Sequence, residues 1–311
     1  MSIILLTTVP REEETMWLDA LCTLLPGEDI VLPDRIEDKE AVDLAIVANP
    51  PQGVLRTLPN LKWIQSLWAG VDALLGDSTL PEAVPLVRLV DPTLARSMAE
   101  AVATHVLALH RNLPVYARQQ QKSLWLQHEL PLASERHVGI LGLGEMGLAS
   151  AIQLTRLGFN VRGWSRSLKS QEDVKCFSGD EGLSQFLQGL DIVVNLLPLT
   201  AETKGILSKS LFDQLPQGAS LINFGRGGHQ VEGDILEALT RGQLSHAVLD
   251  VFSQEPLPEE NLLWRHRGVT LLPHVAAPTN PKTAADIVTQ NIQRYRSSGL
   301  IPKAVERSVG Y

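Results

Sequence analysis

The sequence predicts an α/β protein built from two doubly wound parallel-sheet domains. Its 311 residues exceed what one hydrophobic core usually supports. Short apolar runs alternate along the chain with stretches of helical periodicity, an order typical of parallel sheets that carry helices on both faces. The predicted strands are Ile3–Leu6, Leu44–Val47, Trp63–Leu67, Leu86–Val90, Val138–Leu141, Val161–Trp164, Ile192–Leu197, Ala219–Phe224, Ala247–Val251 and Val269–Leu272.

Composition and charge argue against several classes of protein. Hydrophobic residues make up 44% and charged residues 20%, which is ordinary for a globular chain. The net charge of −8, without a basic stripe, predicts no nucleic-acid partner. No apolar run approaches a membrane-spanning length, and the N-terminus turns acidic where a signal peptide has small residues, so we expect no membrane association. Cys22 and Cys176 are far apart and lack metal-ligand spacing, which predicts no metal site and a reducing cytoplasm.

Two helices at the domain limits determine the predicted organisation. Residues 97–100 have the spacing of a capping box and predict a long helix that begins near Ser97. Asn280 and Pro281 predict the start of another, which Gly299 ends. Because this second helix is amphipathic, it should pack against a core. We therefore expect a discontinuous first domain of residues 1–103 and 284–311, interrupted by a second domain of residues 104–283.

A nucleotide site is predicted where a strand is followed by a GxGxxG turn and a helix. Gly142 makes the tight turn, Gly144 lets the backbone approach a pyrophosphate, and Gly147 allows close helix packing. Glu145 and Met146 lie between the last two glycines and belong to the same phosphate site. A GxGxxG alone is often an ordinary turn, but this context favours a Rossmann nucleotide-binding domain.

The next strand predicts which nucleotide is bound. An acidic residue at its end would bind the ribose of NAD, but Ser165 and Arg166 stand there. A hydroxyl, a guanidinium and the nearby Lys169 suit a 2′-phosphate, so NADP(H) is preferred and NAD(H) is the alternative. The simpler interpretation is that Arg166 and Lys169 are solvated charges on a surface loop. Leu197 and Pro198, at the end of another strand, are predicted to form a wall of the cofactor site.

Three further strands lead to side chains that can perform chemistry. Arg226, Glu255 and His274 follow them, and the carboxyl ends of parallel strands meet at one edge. His274 is the predicted general acid, Glu255 its orienting carboxylate, and Arg226 the group that binds a substrate carboxylate. Any one of these three residues could have an ordinary structural role or lie on a solvated surface. Their placement together favours an active site for carbonyl reduction. Asp250 has either a structural or a ribose-positioning role.

These residues resemble the D-2-hydroxyacid dehydrogenase family, and more closely its glyoxylate/hydroxypyruvate reductase branch. The resemblance implies Arg226, Glu255 and His274 as the catalytic set, and the backbone at Ala69 and Gly70 as part of the substrate carboxylate pocket. It further implies a flavodoxin-like substrate domain, NADPH preference, a homodimer, and a cytoplasmic enzyme that acts on glyoxylate or hydroxypyruvate. The segments that carry it are residues 69–72, 97–100, 142–147, 164–166, 195–198, 223–227, 250–258 and 273–277.

Two other functions remain open from the sequence. The first is a non-catalytic protein that senses NADP(H) on the same fold, although the intact catalytic set argues against it. The second is an enzyme that uses NAD to oxidise a D-hydroxy acid, formate or phosphite, although Ser165 in place of an acid argues against NAD.

Overall fold

The computed structural model describes residues 1–310, and the chain divides into two compact units. One contains Met1–Thr93 and the described residues from Thr279 onward, and the other contains Leu94–Pro278. The sequence placed these limits at 103/104 and 283/284. The first boundary lies between residues 93 and 94 in the structure, ten residues before the predicted one. A single helix, Pro92–His110, runs unbroken through both positions, so no loop marks the boundary between the units.

The chain contains twelve named strands and nine named α-helices within the described residues. The strands are β1 Ser2–Thr7, β2 Asp29–Val31, β3 Val42–Ala48, β4 Trp63–Ser66, β5 Leu86–Val87, β6 His137–Leu141, β7 Asn160–Trp164, β8 Val174–Phe177, β9 Ile192–Asn195, β10 Ala219–Asn223, β11 Leu244–Leu249 and β12 Val269–Leu271. The helices are α1 Arg11–Leu24, α2 Asp72–Leu75, α3 Pro92–His110, α4 Leu113–Gln121, α5 Glu145–Arg156, α6 Gly179–Leu187, α7 Lys209–Phe212, α8 Glu232–Thr240 and α9 Pro281–Ser298.

The first unit contains a five-stranded parallel sheet of order β2-β1-β3-β4-β5. This is the strand order of the flavodoxin-like doubly wound fold. Ile3 and Leu5 of β1 are buried in an apolar layer with residues of α1 and α9. Ile4 and Leu6, which point the other way, are buried in a second layer with residues of α2 and the segment before β4. Both faces of the sheet are therefore covered, as doubly wound packing requires.

Helix α9 brings the C-terminal part of the chain back to the first unit. Asn280 caps it, because the Asn280 side chain accepts hydrogen bonds from two backbone N–H groups of the first turn. Gly299 ends it in the left-handed conformation, with φ of 71°. Val288 and Ile292 are fully buried against α1 and the sheet. The predicted bounds of this helix and its packing against a core are confirmed.

The second unit contains a seven-stranded parallel sheet of order β12-β11-β10-β9-β6-β7-β8. One apolar layer on this sheet comes from α6, α7 and α8, and the other comes from α3 and α5. The order reverses between β6 and β9, which is the arrangement of a Rossmann domain. Ligands of such sheets bind beyond the carboxyl ends of the strands at this reversal.

All ten predicted strands are present, but the sequence missed two strands and misplaced one helix start. The missed strands, β2 and β8, are edge strands of three and four residues. Helix α3 begins at Pro92, so Ser97 lies inside it and its predicted capping role is wrong. The actual start is fixed by Asp91, whose carboxylate accepts a hydrogen bond from the N–H of Thr93 at 2.7 Å. Within residues 1–310, no helix combines the length and apolar character that a membrane crossing requires.

Candidate active site

The glycine turn after β6 has the geometry of a phosphate cradle. Gly142 has φ of +100°, a conformation that side chains other than glycine rarely adopt. A Cβ at Gly147 would lie 1.7 Å from the carbonyl oxygen of Gly142, so only glycine allows α5 to pack this closely. Gly144 has nothing within 4 Å of a Cβ position and is followed by Glu145 and Met146, the first residues of α5. The helix N-terminus is therefore open to an anion, and the turn fits a dinucleotide pyrophosphate.

The end of β9 lies against the same turn. A Cβ at Gly142 would lie 2.8 Å from the carbonyl group of Leu196, which places the two segments side by side. Leu197 is buried, and the carbonyl oxygen of Pro198 accepts a hydrogen bond from the Thr203 hydroxyl at 2.7 Å. Leu197 and Pro198 thus lie at the reversal of strand order beside the glycine turn.

The residues after β7 carry positive charge and no carboxylate. Ser165 is buried, and its hydroxyl donates a hydrogen bond to the backbone carbonyl two residues further on at 2.9 Å. Arg166 and Lys169 are exposed. The pKa of Glu202 is lowered by a hydrogen bond from Thr200 and, to a smaller extent, by the charge of Arg166. The guanidinium of Arg166 therefore acts on the segment that follows β9, on the cofactor side of the sheet.

Glu255 and His274 form a hydrogen-bonded pair at the same sheet edge. Oε2 of Glu255 lies 2.8 Å from Nδ1 of His274, while Oε1 accepts a hydrogen bond from the backbone N–H of Phe252 at 2.9 Å. The carboxylate is thus held at both oxygens and fixes the orientation of the imidazole ring. The His274 side chain is 52% exposed, so its Nε2 edge can be reached by a small molecule.

Asp250 holds the turn that carries His274. Its two carboxylate oxygens accept hydrogen bonds from the backbone N–H groups of Val275 and Ala276, at 2.7 and 3.0 Å. Its backbone carbonyl accepts from the N–H of His274 at 2.9 Å, and His274 has φ of +56°, which is uncommon for a non-glycine residue. Burial raises the pKa of Asp250, whereas these amide hydrogen bonds and the charge of His274 oppose that rise. Asp250 therefore has the first of its two predicted roles, a structural one, because it holds the turn after His274. Its role in ribose positioning stays a prediction.

Arg226 lies on a loop that meets the Glu255 segment. A Cβ at Gly227 would lie 1.9 Å from the carbonyl carbon of Phe252, so the loop approaches this segment as closely as backbone allows. Nη1 of Arg226 donates a hydrogen bond to the carbonyl of Gly225 at 2.9 Å, and its side chain is half-buried. The structure thus places the Arg226 loop beside the segment from Phe252 to Glu255.

A buried polar network lies behind this loop, and the sequence analysis did not assign it a role. Nδ2 of Asn195 donates to Oδ1 of Asn223 at 2.9 Å, and Nδ2 of Asn223 donates to Oε1 of Gln230 at 3.0 Å. His229, which is fully buried, lies 2.9 Å from Asn195 through Nδ1. A signal existed in the sequence, because Asn195 and Asn223 each end a strand directly after a run of apolar residues.

Ala69 and Gly70 lie in the first unit, directly after β4 and Trp68. Both are partly exposed, as is Trp68, whose indole N–H donates to Oδ1 of Asn49 at 3.2 Å. Their part in binding the substrate carboxylate stays a prediction.

The family model for "D-isomer specific 2-hydroxyacid dehydrogenase, NAD binding domain" matches residues 103–276. Glyoxylate/hydroxypyruvate reductase A from Yersinia enterocolitica is 43% identical to this chain over 293 residues, covering 91% of this chain and 92% of the relative.

Two solved structures resemble the whole chain. A D-isomer specific 2-hydroxyacid dehydrogenase from Xanthobacter autotrophicus, in complex with NADPH and MES, superposes with a TM-score of 0.94 at 39% identity, covering 100% of this chain and 99% of that one. An NADPH-dependent glyoxylate/hydroxypyruvate reductase from Sinorhizobium meliloti, in complex with NADP and sulfate, has a TM-score of 0.92 at 36% identity and covers 100% of both chains. On the family match and these relatives, the chain belongs to the D-isomer specific 2-hydroxyacid dehydrogenase family.

Proposed function

We propose that this chain reduces small 2-oxo acids with NADPH, converting glyoxylate to glycolate and hydroxypyruvate to D-glycerate. The single observation that carries the proposal is the 2.8 Å pair of Glu255 and His274, held at the sheet edge that also carries the Arg226 loop. A carboxylate-oriented imidazole beside a guanidinium suits a substrate that has both a carbonyl and a carboxylate.

Each side chain has one role in the proposed reaction. The reduced nicotinamide of NADPH supplies a hydride when it is bound. Arg226 binds the carboxylate of the 2-oxo acid through its planar guanidinium and polarises the adjacent carbonyl. As C2 becomes tetrahedral, negative charge develops on its oxygen, and Nε2 of His274 donates a proton there. Glu255 holds Nδ1 and stabilises the imidazolium before the proton is transferred. Hydride and proton together give the hydroxy acid.

NADP(H) is the cofactor, and the relatives from Xanthobacter and Sinorhizobium support this with NADPH and NADP in their complexes. The pyrophosphate binds at the N-terminus of α5, where Gly144 leaves the backbone open. Ser165 and Arg166 bind the 2′-phosphate, and Lys169 adds charge. Leu197 and Pro198 form the wall at the reversal of strand order.

Initial rates of NADPH and NADH oxidation test this proposal, with glyoxylate and hydroxypyruvate as substrates. We expect turnover with both substrates and a higher kcat/KM with NADPH than with NADH. Tight NADPH binding without turnover would support a nucleotide-sensing protein instead. Turnover only in the direction of oxidation, with a preference for NAD, would support the hydroxy-acid, formate or phosphite alternative.

The chain forms a homodimer in the cytoplasm under this proposal. The segment after α4 supports self-association, because it exposes several large apolar side chains that water solvates poorly. Trp125 is 95% exposed and Leu132 is 67% exposed. Sedimentation analysis of the wild type and of Trp125→Ser tests the dimer. A wild type that sediments as a monomer would contradict it.

A further inference from the structure

The imidazole of His229 is fully buried three residues after Arg226, in the short turn Gly227–His229. None of the roles described above involves this ring. A histidine at 0% exposure in a loop beside a catalytic arginine requires a structural reason, because a buried polar ring without hydrogen bonds would be destabilising.

The hydrogen bonds of the ring determine its protonation. Nδ1 accepts from the backbone N–H of Arg226 at 3.0 Å, and a backbone N–H can only donate. Nδ1 therefore carries no proton, and the amide of Asn195 also donates to it at 2.9 Å. The ring proton lies on Nε2, which donates to the carbonyl of Pro198 at 3.2 Å. His229 is thus a neutral imidazole with its acceptor toward Arg226 and its donor toward Pro198.

Both backbone polar groups of Arg226 are held by this network. The N–H bonds to His229, and the carbonyl accepts from the N–H of His229 at 3.1 Å and from Nδ2 of Asn223 at 3.3 Å. Asn223 in turn donates to Gln230, which donates to the carbonyl of Val251 at 3.0 Å. Each donor in this hydrogen-bond network meets an acceptor, so the backbone of Arg226 has one defined position.

The ring also joins two parts of the proposed site. Asn195 and Pro198 belong to the end of β9 and the wall of the cofactor site, whereas Arg226 belongs to the loop that binds substrate. His229 spans these segments with its two nitrogens. The position of the guanidinium is therefore linked to the strand end beside which the cofactor binds.

We propose that neutral His229 is a positioning residue, which fixes the backbone of Arg226 so that its guanidinium meets the substrate carboxylate. The inference rests on the proposed function, because it assigns the residue to the binding of a 2-oxo acid. His229 itself does not touch the reacting atoms.

Two substitutions separate the functions of the ring nitrogens. In His229→Asn, the side-chain oxygen replaces Nδ1 as the acceptor for Arg226, and the link to Pro198 is lost. In His229→Leu, both links are lost while the volume is nearly kept. We expect His229→Leu to raise KM for glyoxylate about tenfold, since the backbone N–H of Arg226 and one amide N–H of Asn195 lose their acceptor, and His229→Asn to restore most of this loss. KM for NADPH should change about twofold or less in His229→Asn.

A double-mutant cycle with Arg226→Ala decides whether His229 acts through Arg226. If it does, adding His229→Leu to Arg226→Ala should change kcat/KM by less than about twofold, because no guanidinium remains to be positioned. Equal losses in both backgrounds would overturn the inference, as would a His229→Leu variant with unchanged KM for glyoxylate. If His229→Leu does not fold, the same cycle is measured with His229→Gln, which keeps the donor toward Pro198 and removes the acceptor for the N–H of Arg226.

A wild type without turnover would overturn the proposed function and this inference together. An active wild type in which the effects of the two substitutions are additive would overturn this inference alone.

Discussion

Oε2 of Glu255 lies 2.8 Å from Nδ1 of His274, although 19 positions separate the two residues in sequence. The other oxygen of Glu255 is held by the N–H of Phe252, so the carboxylate cannot turn away without losing a second bond. The pair leaves Nε2 of His274 as the remaining ring nitrogen, and this is the atom that donates the proton in the proposed reaction.

Replacing Glu255 with Gln tests the negative charge of this side chain while keeping its size and shape nearly unchanged. The amide oxygen can still accept from Phe252, but an amide N–H then faces Nδ1 and no negative charge stabilises the imidazolium. We expect kcat to fall about a hundredfold. Steady-state rates with glyoxylate and NADPH measure this effect. Glu259→Gln, which changes an exposed carboxylate in the same segment, is the matched control and should leave kcat unchanged.

Two glycines of the phosphate turn should respond differently to alanine. Gly147→Ala places a Cβ 1.7 Å from a backbone oxygen, so we expect it to reduce the free energy of unfolding by about 3 kcal/mol and to weaken NADPH binding. Gly144→Ala meets nothing within 4 Å, so stability should stay near the wild type while NADPH affinity falls. Thermal unfolding and NADPH titration distinguish the two. Equal NADPH affinity in Gly144→Ala and the wild type would mean that no phosphate approaches this backbone.

Arg166→Ala tests the choice of cofactor. Loss of a charge-assisted hydrogen bond to the 2′-phosphate should raise KM for NADPH by about ten- to a hundredfold and leave KM for NADH nearly unchanged. Arg156→Ala removes an exposed arginine at the end of α5 and is the control for net charge. If both cofactors respond equally to Arg166→Ala, the residue does not recognise the phosphate.

His246 should make stability depend on pH. Burial, and to a smaller extent the charges of Arg118 and His266, lower the pKa of His246 from 6.5 to about 4. The folded chain therefore binds this proton less readily than the unfolded chain, so the stabilisation is present above pH 6.5 and is lost as pH falls to about 4. The loss is on the order of 3 kcal/mol below that range.

His246→Gln removes this titration while keeping a polar group near Thr270, to which Nε2 of His246 is bonded at 2.8 Å. Urea unfolding at neutral and acidic pH should show a smaller decrease in stability for the variant than for the wild type. An identical decrease would show that His246 is not the group responsible.

Much of the fold and site could be predicted because it depends on local patterns. The predicted apolar runs are strands β1, β3–β7 and β9–β12, and Gly142 and Gly147 make backbone contacts that only glycine allows. The start of α3 was mispredicted because Ser97 has the pattern of a cap, whereas Asp91 forms the cap at its actual start. The role proposed for His229 could not be predicted, since it depends on Asn195, which lies 34 positions away in sequence and is brought close by the fold, in part through the pairing of β9 with β10.

The central measurement is kcat/KM for NADPH-dependent glyoxylate reduction by wild type and His274→Asn. Asparagine tolerates the left-handed conformation that His274 adopts at φ of +56°, and its amide can still donate to Glu255, but it cannot act as a general acid. We expect the variant to bind NADPH as tightly as the wild type and to lose about a hundred- to ten-thousandfold in kcat/KM. A His274→Asn variant that retains kcat/KM within about tenfold of the wild type would contradict the assignment of His274 as the proton donor.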